Sequence, residues 1–110
     1  MAYDTELANR IRELVAAERG ITEKAMFGGL SFLLHGNMSV SLSGQGGLLL
    51  RVDPAGKIAL LTRPHAGECV MRGREMLGWL RVGNAGVQIE RDLKQWVDLS
   101  ISYAKTLPPK

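Results

Sequence analysis

Lys24-Ala25-Met26-Phe27-Gly28-Gly29-Leu30-Ser31-Phe32-Leu33-Leu34-His35-Gly36-Asn37-Met38 decides the fold of this 110-residue chain. From about residue 25 to residue 35 the run is apolar, broken only by Gly28, Gly29 and Ser31, which suits a strand buried on both faces. The glycine pair marks the entry to that strand. Gly36-Asn37 supplies the positive backbone angles of a tight hairpin turn. Beyond the turn, Met38, Val40 and Leu42 alternate with Ser39, Ser41 and Ser43, the pattern of a half-buried strand.

Working outward, the upstream segment reads as a helix. Asp4 is its N-cap, Glu6 lies in the first turn where the helix dipole favours an acid, and Leu7, Ile11, Leu14 and Val15 form one apolar stripe. Gly20 is expected to stop this helix as a left-handed cap, with a short linker before the strands. Downstream, the glycine cluster from Gly44 to Gly47 turns the chain into a third strand, Leu48 to Val52. Asp53-Pro54 starts a short helix that ends near Leu61 and is weakened at Gly56. Residues 62–68 read as a loop. Cys69 to Arg72 and Leu77 to Val82 read as two strands around Gly73-Arg74, and Gly83 to Gly86 as a turn.

A last helix spans roughly Ile89 to Thr106, with the stripe Ile89, Leu93, Trp96, Val97, Ser100 and Ala104, and Pro108-Pro109 ends it. The expected fold is therefore one α+β domain over residues 1–110, in the order α-β-β-β-α-β-β-α. Hairpin-length turns imply an antiparallel sheet with flanking helices.

Composition narrows the function classes. Hydrophobic residues at 45% and charged residues at 23% are ordinary for a folded domain. The lone cysteine, Cys69, has no partner for an internal disulfide and suits a reducing cytosol. The first residues lack the cationic and apolar segments of a signal peptide, and no apolar run has the length of a membrane helix. Cytoplasmic is the expected location. A net charge of +3 permits contact with a polyanion without requiring it.

No catalytic, metal or cofactor constellation is expected. His65 and Cys69 are four apart with Glu68 between them and His35 elsewhere, which gives one thiol and no paired zinc spacing. The acids fall mostly on helix surfaces and caps and offer no positioned pair for general acid-base work. Gly44-x-Gly46-Gly47 lacks the lysine-serine pair of a phosphate loop and leads into a strand. Gly28-Gly29 reads as a bulge or a close helix crossing in preference to a ligand contact.

The arginines of the second half are the richer signal. Strand alternation places Leu77, Trp79 and Arg81 on one side and Leu80 and Val82 on the other. With Leu80 and Val82 in the core, Trp79 would be partly exposed beside Arg81, suited to base stacking or to anchoring a protein interface. The rival expectation, that Trp79 packs under the last helix, is favoured because tryptophan is usually substantially buried. The candidate binding residues are Arg51, Arg72, Arg74, Trp79 and Arg81.

Met26-Phe27-Gly28-Gly29 and Gly36-Asn37-Met38 together resemble the TfoX N-terminal domain family, named after a bacterial competence regulator. The likeness extends through Gly47-Leu48, Arg51-Val52, Arg63-Pro64, Arg74-x-Met76, Gly78-Trp79 and Trp96 to Leu107-Pro108-Pro109. Ser39 departs from it, since many relatives place something bulkier there. The resemblance implies an α+β fold like that of secretion chaperones. It also implies a non-catalytic regulatory or protein-binding role, here in a stand-alone domain without the C-terminal domain of the longer regulators. Another protein is the expected partner, direct nucleic-acid contact is the second reading, and a sheet edge leaves room for a homodimer.

Overall fold

The computed structural model describes residues 4–26, 29–44, 46–71 and 73–109, with 26, 71 and 74–77 described by their backbone. Asp4 caps the first helix, α1 (Thr5–Leu14): its Oδ1 accepts from the N–H of Glu6 at 3.0 Å and of Leu7 at 3.2 Å. The helix ends at Leu14 with Val15 as its cap, so Gly20 does not stop it. Gly20 has φ +84° and instead serves the turn into the sheet, where its carbonyl accepts from the His35 N–H at 3.0 Å.

Six strands follow in one antiparallel sheet: β1 (Ile21–Met26), β2 (Gly29–Leu34), β3 (Asn37–Leu42), β4 (Leu48–Arg51), β5 (Ala66–Met71) and β6 (Arg74–Val82). Their spatial order is β1-β2-β3-β4-β6-β5. Between β4 and β5 lie a 3-10 turn (Pro54–Gly56), capped by Asp53, and the short helix α2 (Lys57–Leu61). The long helix α3 (Glu90–Ala104) closes the described fold. The α+β class and the order of the expected elements stand, with one strand more than the sequence pattern suggested. That strand is β1. Its Thr22-Glu23-Lys24 centre has no apolar alternation because an edge strand needs little burial, yet it pairs with β2 along its whole length.

Local chemistry shifts two other expectations. The hairpin turn is His35-Gly36, with φ +50° and +84°, one residue earlier than expected. Asn37 instead opens β3, and its buried Nδ2 donates to the Pro108 carbonyl at 2.8 Å, joining two distant parts of the chain. The expected loop over 62–68 also ends early, because β5 begins at Ala66.

A bulge changes the serine alternation of β3. Val40 lies opposite Phe32 but Met38 lies opposite Leu33, which leaves Ser39 as the extra residue. Ser39 is fully buried, and its Oγ meets Ser100 Oγ of α3 at 2.9 Å. Ser100 Oγ also lies within hydrogen-bonding distance of the Ser39 and Arg51 carbonyls. Ser41 is buried too, paired with Ser31 at 2.8 Å between hydroxyls. So β3 is buried on both faces, not half-buried.

The core lies on one face of this sheet. Phe32, Leu34, Val40, Leu42, Leu48, Leu50, Leu80 and Val82 meet Leu7, Ala8 and Ile11 of α1 and Leu93, Trp96, Val97 and Ile101 of α3. Leu60 and Leu61 of α2 pack against the same cluster. Ile89 does not belong to the α3 stripe: it precedes the helix and is 57% exposed. Ion pairs brace the layer, Arg10 with Glu90 and Arg12 with Glu23 of β1. Among the described residues no helix is long and apolar enough to cross a membrane.

Candidate binding surface

Register decides which side chains share the second face of the sheet. In an antiparallel pair, directly opposed residues project to the same side. Arg51 opposes Trp79, Leu49 opposes Arg81, Ser41 opposes Leu49, Ser31 opposes Ser41 and Lys24 opposes Ser31. Leu33 and Met38 form another pair on this side. Along their strands these residues alternate with the core residues Leu30, Phe32 and Leu34 of β2, Val40 and Leu42 of β3, Leu48 and Leu50 of β4 and Leu80 and Val82 of β6. Lys24 follows through its pairing with Ser31, so they point away from the helix layer.

Leu33, Met38, Leu49 and Trp79 are each half-buried, unlike the fully buried residues opposite them. The hydrophobic residues packed against the core from outside are Leu14, Ile21, Leu60, Leu61, Ala66 and Leu99, and these four are not among them. Trp79 therefore does not pack under α3. The size of its ring favoured that expectation, but the strand register places it with Arg51 and Arg81. Gly78 has φ +73° and its carbonyl accepts from the Val52 N–H at 2.8 Å, which sets β6 in register just before Trp79.

Among the described residues, charge on this face has one sign. The described residues facing this way include Lys24, Arg51 and Arg81, and none of the described carboxylates is among them. Glu23 turns to Arg12, Glu68 to Lys57, Glu90 to Arg10, Asp98 to Lys94 and Glu18 to Lys105. Asp4 and Asp53 cap helical turns. The half-buried apolar centre is thus bordered by Lys24, Arg51 and Arg81.

The candidate residues are placed unequally. Arg51 and Trp79 are cross-strand neighbours, and the Arg51 guanidinium has no hydrogen bond or ion pair among the described residues. Arg81 is held: its Nη2 donates to the Gly46 carbonyl at 3.0 Å, tying the strand to the glycine turn. Arg74 opens β6 opposite Met71. Arg72, Phe27 and Gly28 lie outside the described residues. Arg63 belongs to the helix layer, where its guanidinium carbon lies 4.6 Å from the centre of the buried Trp96 ring.

Of the strand-entry glycines, Gly29 has a structural role. A Cβ at Gly29 would overlap the Leu42 carbonyl, so the backbones there require glycine. An apolar cleft of about 210 Å³ lies instead between the 3-10 turn and α3, lined by Val52, Leu60, Leu99 and Tyr103 among others. That is smaller than the roughly 300–1,000 Å³ of ordinary ligand pockets.

Cys69 is buried, and burial pushes its thiol above the usual range, which suppresses the nucleophilic thiolate. Among the described residues no three His, Cys, Asp or Glu side chains gather to hold a metal ion.

Sequence reasoning missed the Ser39–Ser100 contact and the Asn37–Pro108 strap. Small polar pairs across long separations leave no periodic signal. No curated protein and no solved structure matches the chain. A family model does, that of the TfoX N-terminal domain, across residues 13–104. With this sheet, these helices and that match over most of its length, the chain belongs to the TfoX N-terminal domain family.

Proposed function

We propose that this protein is a non-catalytic regulatory module that docks another protein on the second face of its sheet. The observation that carries the reading is the joint placement of Leu33, Met38, Leu49 and Trp79 with Lys24, Arg51 and Arg81, away from all three helices. Membership of a family of regulatory or binding domains supports it. Tryptophan and arginine are the residues that most often carry binding energy at protein interfaces, and the single sign of charge among the described residues of this face favours an acidic partner. A cytoplasmic location belongs to the same reading, consistent with one unpaired cysteine.

A second reading has one observation in its favour. Arg51 beside Trp79 is also an arrangement on which a nucleobase could stack next to its phosphate. The other arginines serve it less well, because Arg81 is tied to Gly46 and Arg63 to Trp96.

One titration separates the two. Labelled duplex DNA, single-stranded RNA, an amphipathic peptide of leucine and glutamate, and its lysine counterpart are each followed by anisotropy at several salt concentrations. The glutamate peptide is expected to bind, and Arg51→Glu to weaken it about tenfold. The lysine peptide should not bind. Nucleic acid binding more tightly than the peptide, with a linear fall in log affinity against log salt, would favour the second reading instead.

A further inference from the structure

The sheet has two edges, and they are built differently. β1 is guarded: Thr22, Glu23, Lys24 and Ala25 are all exposed, with Arg12 clamping Glu23 and Lys24 charged at the rim. Charged side chains, lysine above all, are what natural edge strands use to prevent pairing with another chain. β5 carries no such guard. Its residues Ala66, Gly67, Cys69 and Val70 are uncharged, and Val70 is 57% exposed.

The one charge on the described part of β5 is cancelled within the protomer. Glu68 Oε1 lies 2.6 Å from Nζ of Lys57, a lysine only 5% exposed on α2. The next residue on α2, Ile58, is 80% exposed. Among the described residues the large hydrophobic side chains most open to solvent are Ile58, Val70 and Ile89. Two of these three therefore sit on elements joined by the same ion pair at one sheet edge.

We propose that β5 is a self-association edge, at which two copies of the chain pair antiparallel about a two-fold axis and continue the sheet from one protomer into the other. Charge selects the occupant. A second copy meets β5 with the same neutral residues and an already compensated Glu68, so among the described residues no like charges are opposed. A strongly charged partner strand finds no complement there. The cationic second face behaves in the opposite way, since two copies placed face to face would oppose Arg51 and Lys24 to themselves. The two surfaces thus suit different partners, and self-association at β5 does not depend on docking at the second face.

The register shift between Glu68 and Val70 interrupts the edge, so the paired segment is short. A short paired segment makes a small interface, so the expected dimer is a reversible one.

Sedimentation equilibrium of the full chain, from low to high micromolar concentration, tests this. The mass should rise from one copy to two and go no further. Val70→Lys should raise the dissociation constant at least about tenfold, while Thr22→Lys on β1 and Arg51→Glu on the second face leave it unchanged. A melting curve checks that the Val70 variant remains folded, and its exposure makes that the expected result. Hydrogen exchange on the unmutated chain gives an independent reading: amides of Gly67 to Val70 should gain protection with concentration, and those of β1 should not. A monomer at every concentration overturns the proposal. So does a dimer that Val70→Lys leaves intact.

Discussion

Leu49 and Leu50 are adjacent on β4 and meet different worlds. Leu50 points into the helix layer and is fully buried, whereas Leu49 points the other way and is half-buried beside Arg81 and Ser41. The same contrast repeats on β6, where Leu80 is fully buried and Trp79 is half-buried opposite Arg51. One face of the sheet meets the helices. The other holds the half-buried Leu33, Met38, Leu49 and Trp79 beside Arg51, which has no hydrogen bond or ion pair among the described residues, while Arg81 is tied to Gly46.

The largest expected effect separates the two leucines. Leu50→Ala should cost about 3 kcal/mol, because it removes buried methyl groups and leaves a cavity under α3. Leu49→Ala should cost about 1 kcal/mol and instead weaken partner binding. Denaturant unfolding of both variants measures this, and equal losses would break the comparison.

Ser100→Ala comes next. It removes the hydroxyl that joins α3 to Ser39 and to the Arg51 carbonyl, leaving Ser39 Oγ buried without that partner. A loss of about 1–2 kcal/mol is expected in the same experiment. No measurable loss would mean that α3 is held to the sheet by apolar contact alone.

The arginines sharpen the contrast at smaller scale. Arg63→Ala should cost about 1 kcal/mol, since its guanidinium lies over the buried Trp96 ring. Arg51→Ala should leave the melting temperature nearly unchanged while reducing affinity for an acidic peptide. The reverse ranking would move the functional surface to the helix layer.

Smallest of all is a pH effect at the guarded edge. The hydrogen bonds from Arg12 hold the Glu23 carboxyl below its ordinary value of 4.5. A depressed folded-state pKa contributes stability that is present above the unfolded value and disappears as pH falls through the folded one. The pair is exposed, so at most about 0.5 kcal/mol is at stake. Arg12→Ala should remove that much at neutral pH and flatten the stability profile below pH 4.5, as followed by thermal unfolding.

How much of this was legible in the sequence depends on which force was at work. Hydrophobic periodicity located α1, β2, β4 and α3, because each must bury one stripe or both faces. Asp4 and Asp53 marked helical starts through a local side-chain bond. β1 was invisible because its edge position demands backbone pairing and almost no burial.

The serines of β3 read as solvent-facing, yet Ser39 and Ser41 are buried by partners far away in sequence or across the strand. At the candidate surface, alternation separated Trp79 from Leu80, but the tendency of tryptophan to be buried could not say which face of the sheet covers it. That Arg51 joins Trp79 and Arg81 followed only from the β4–β6 register.

The most direct test asks which face a partner touches. A photo-crosslinking amino acid is placed at Leu49, on the second face, and in a separate variant at Ile89, exposed on the helix side, and each protein is irradiated in its own cells. The account predicts discrete adducts with another protein from position 49 and none from position 89. Adducts from position 89 with none from position 49 would contradict it.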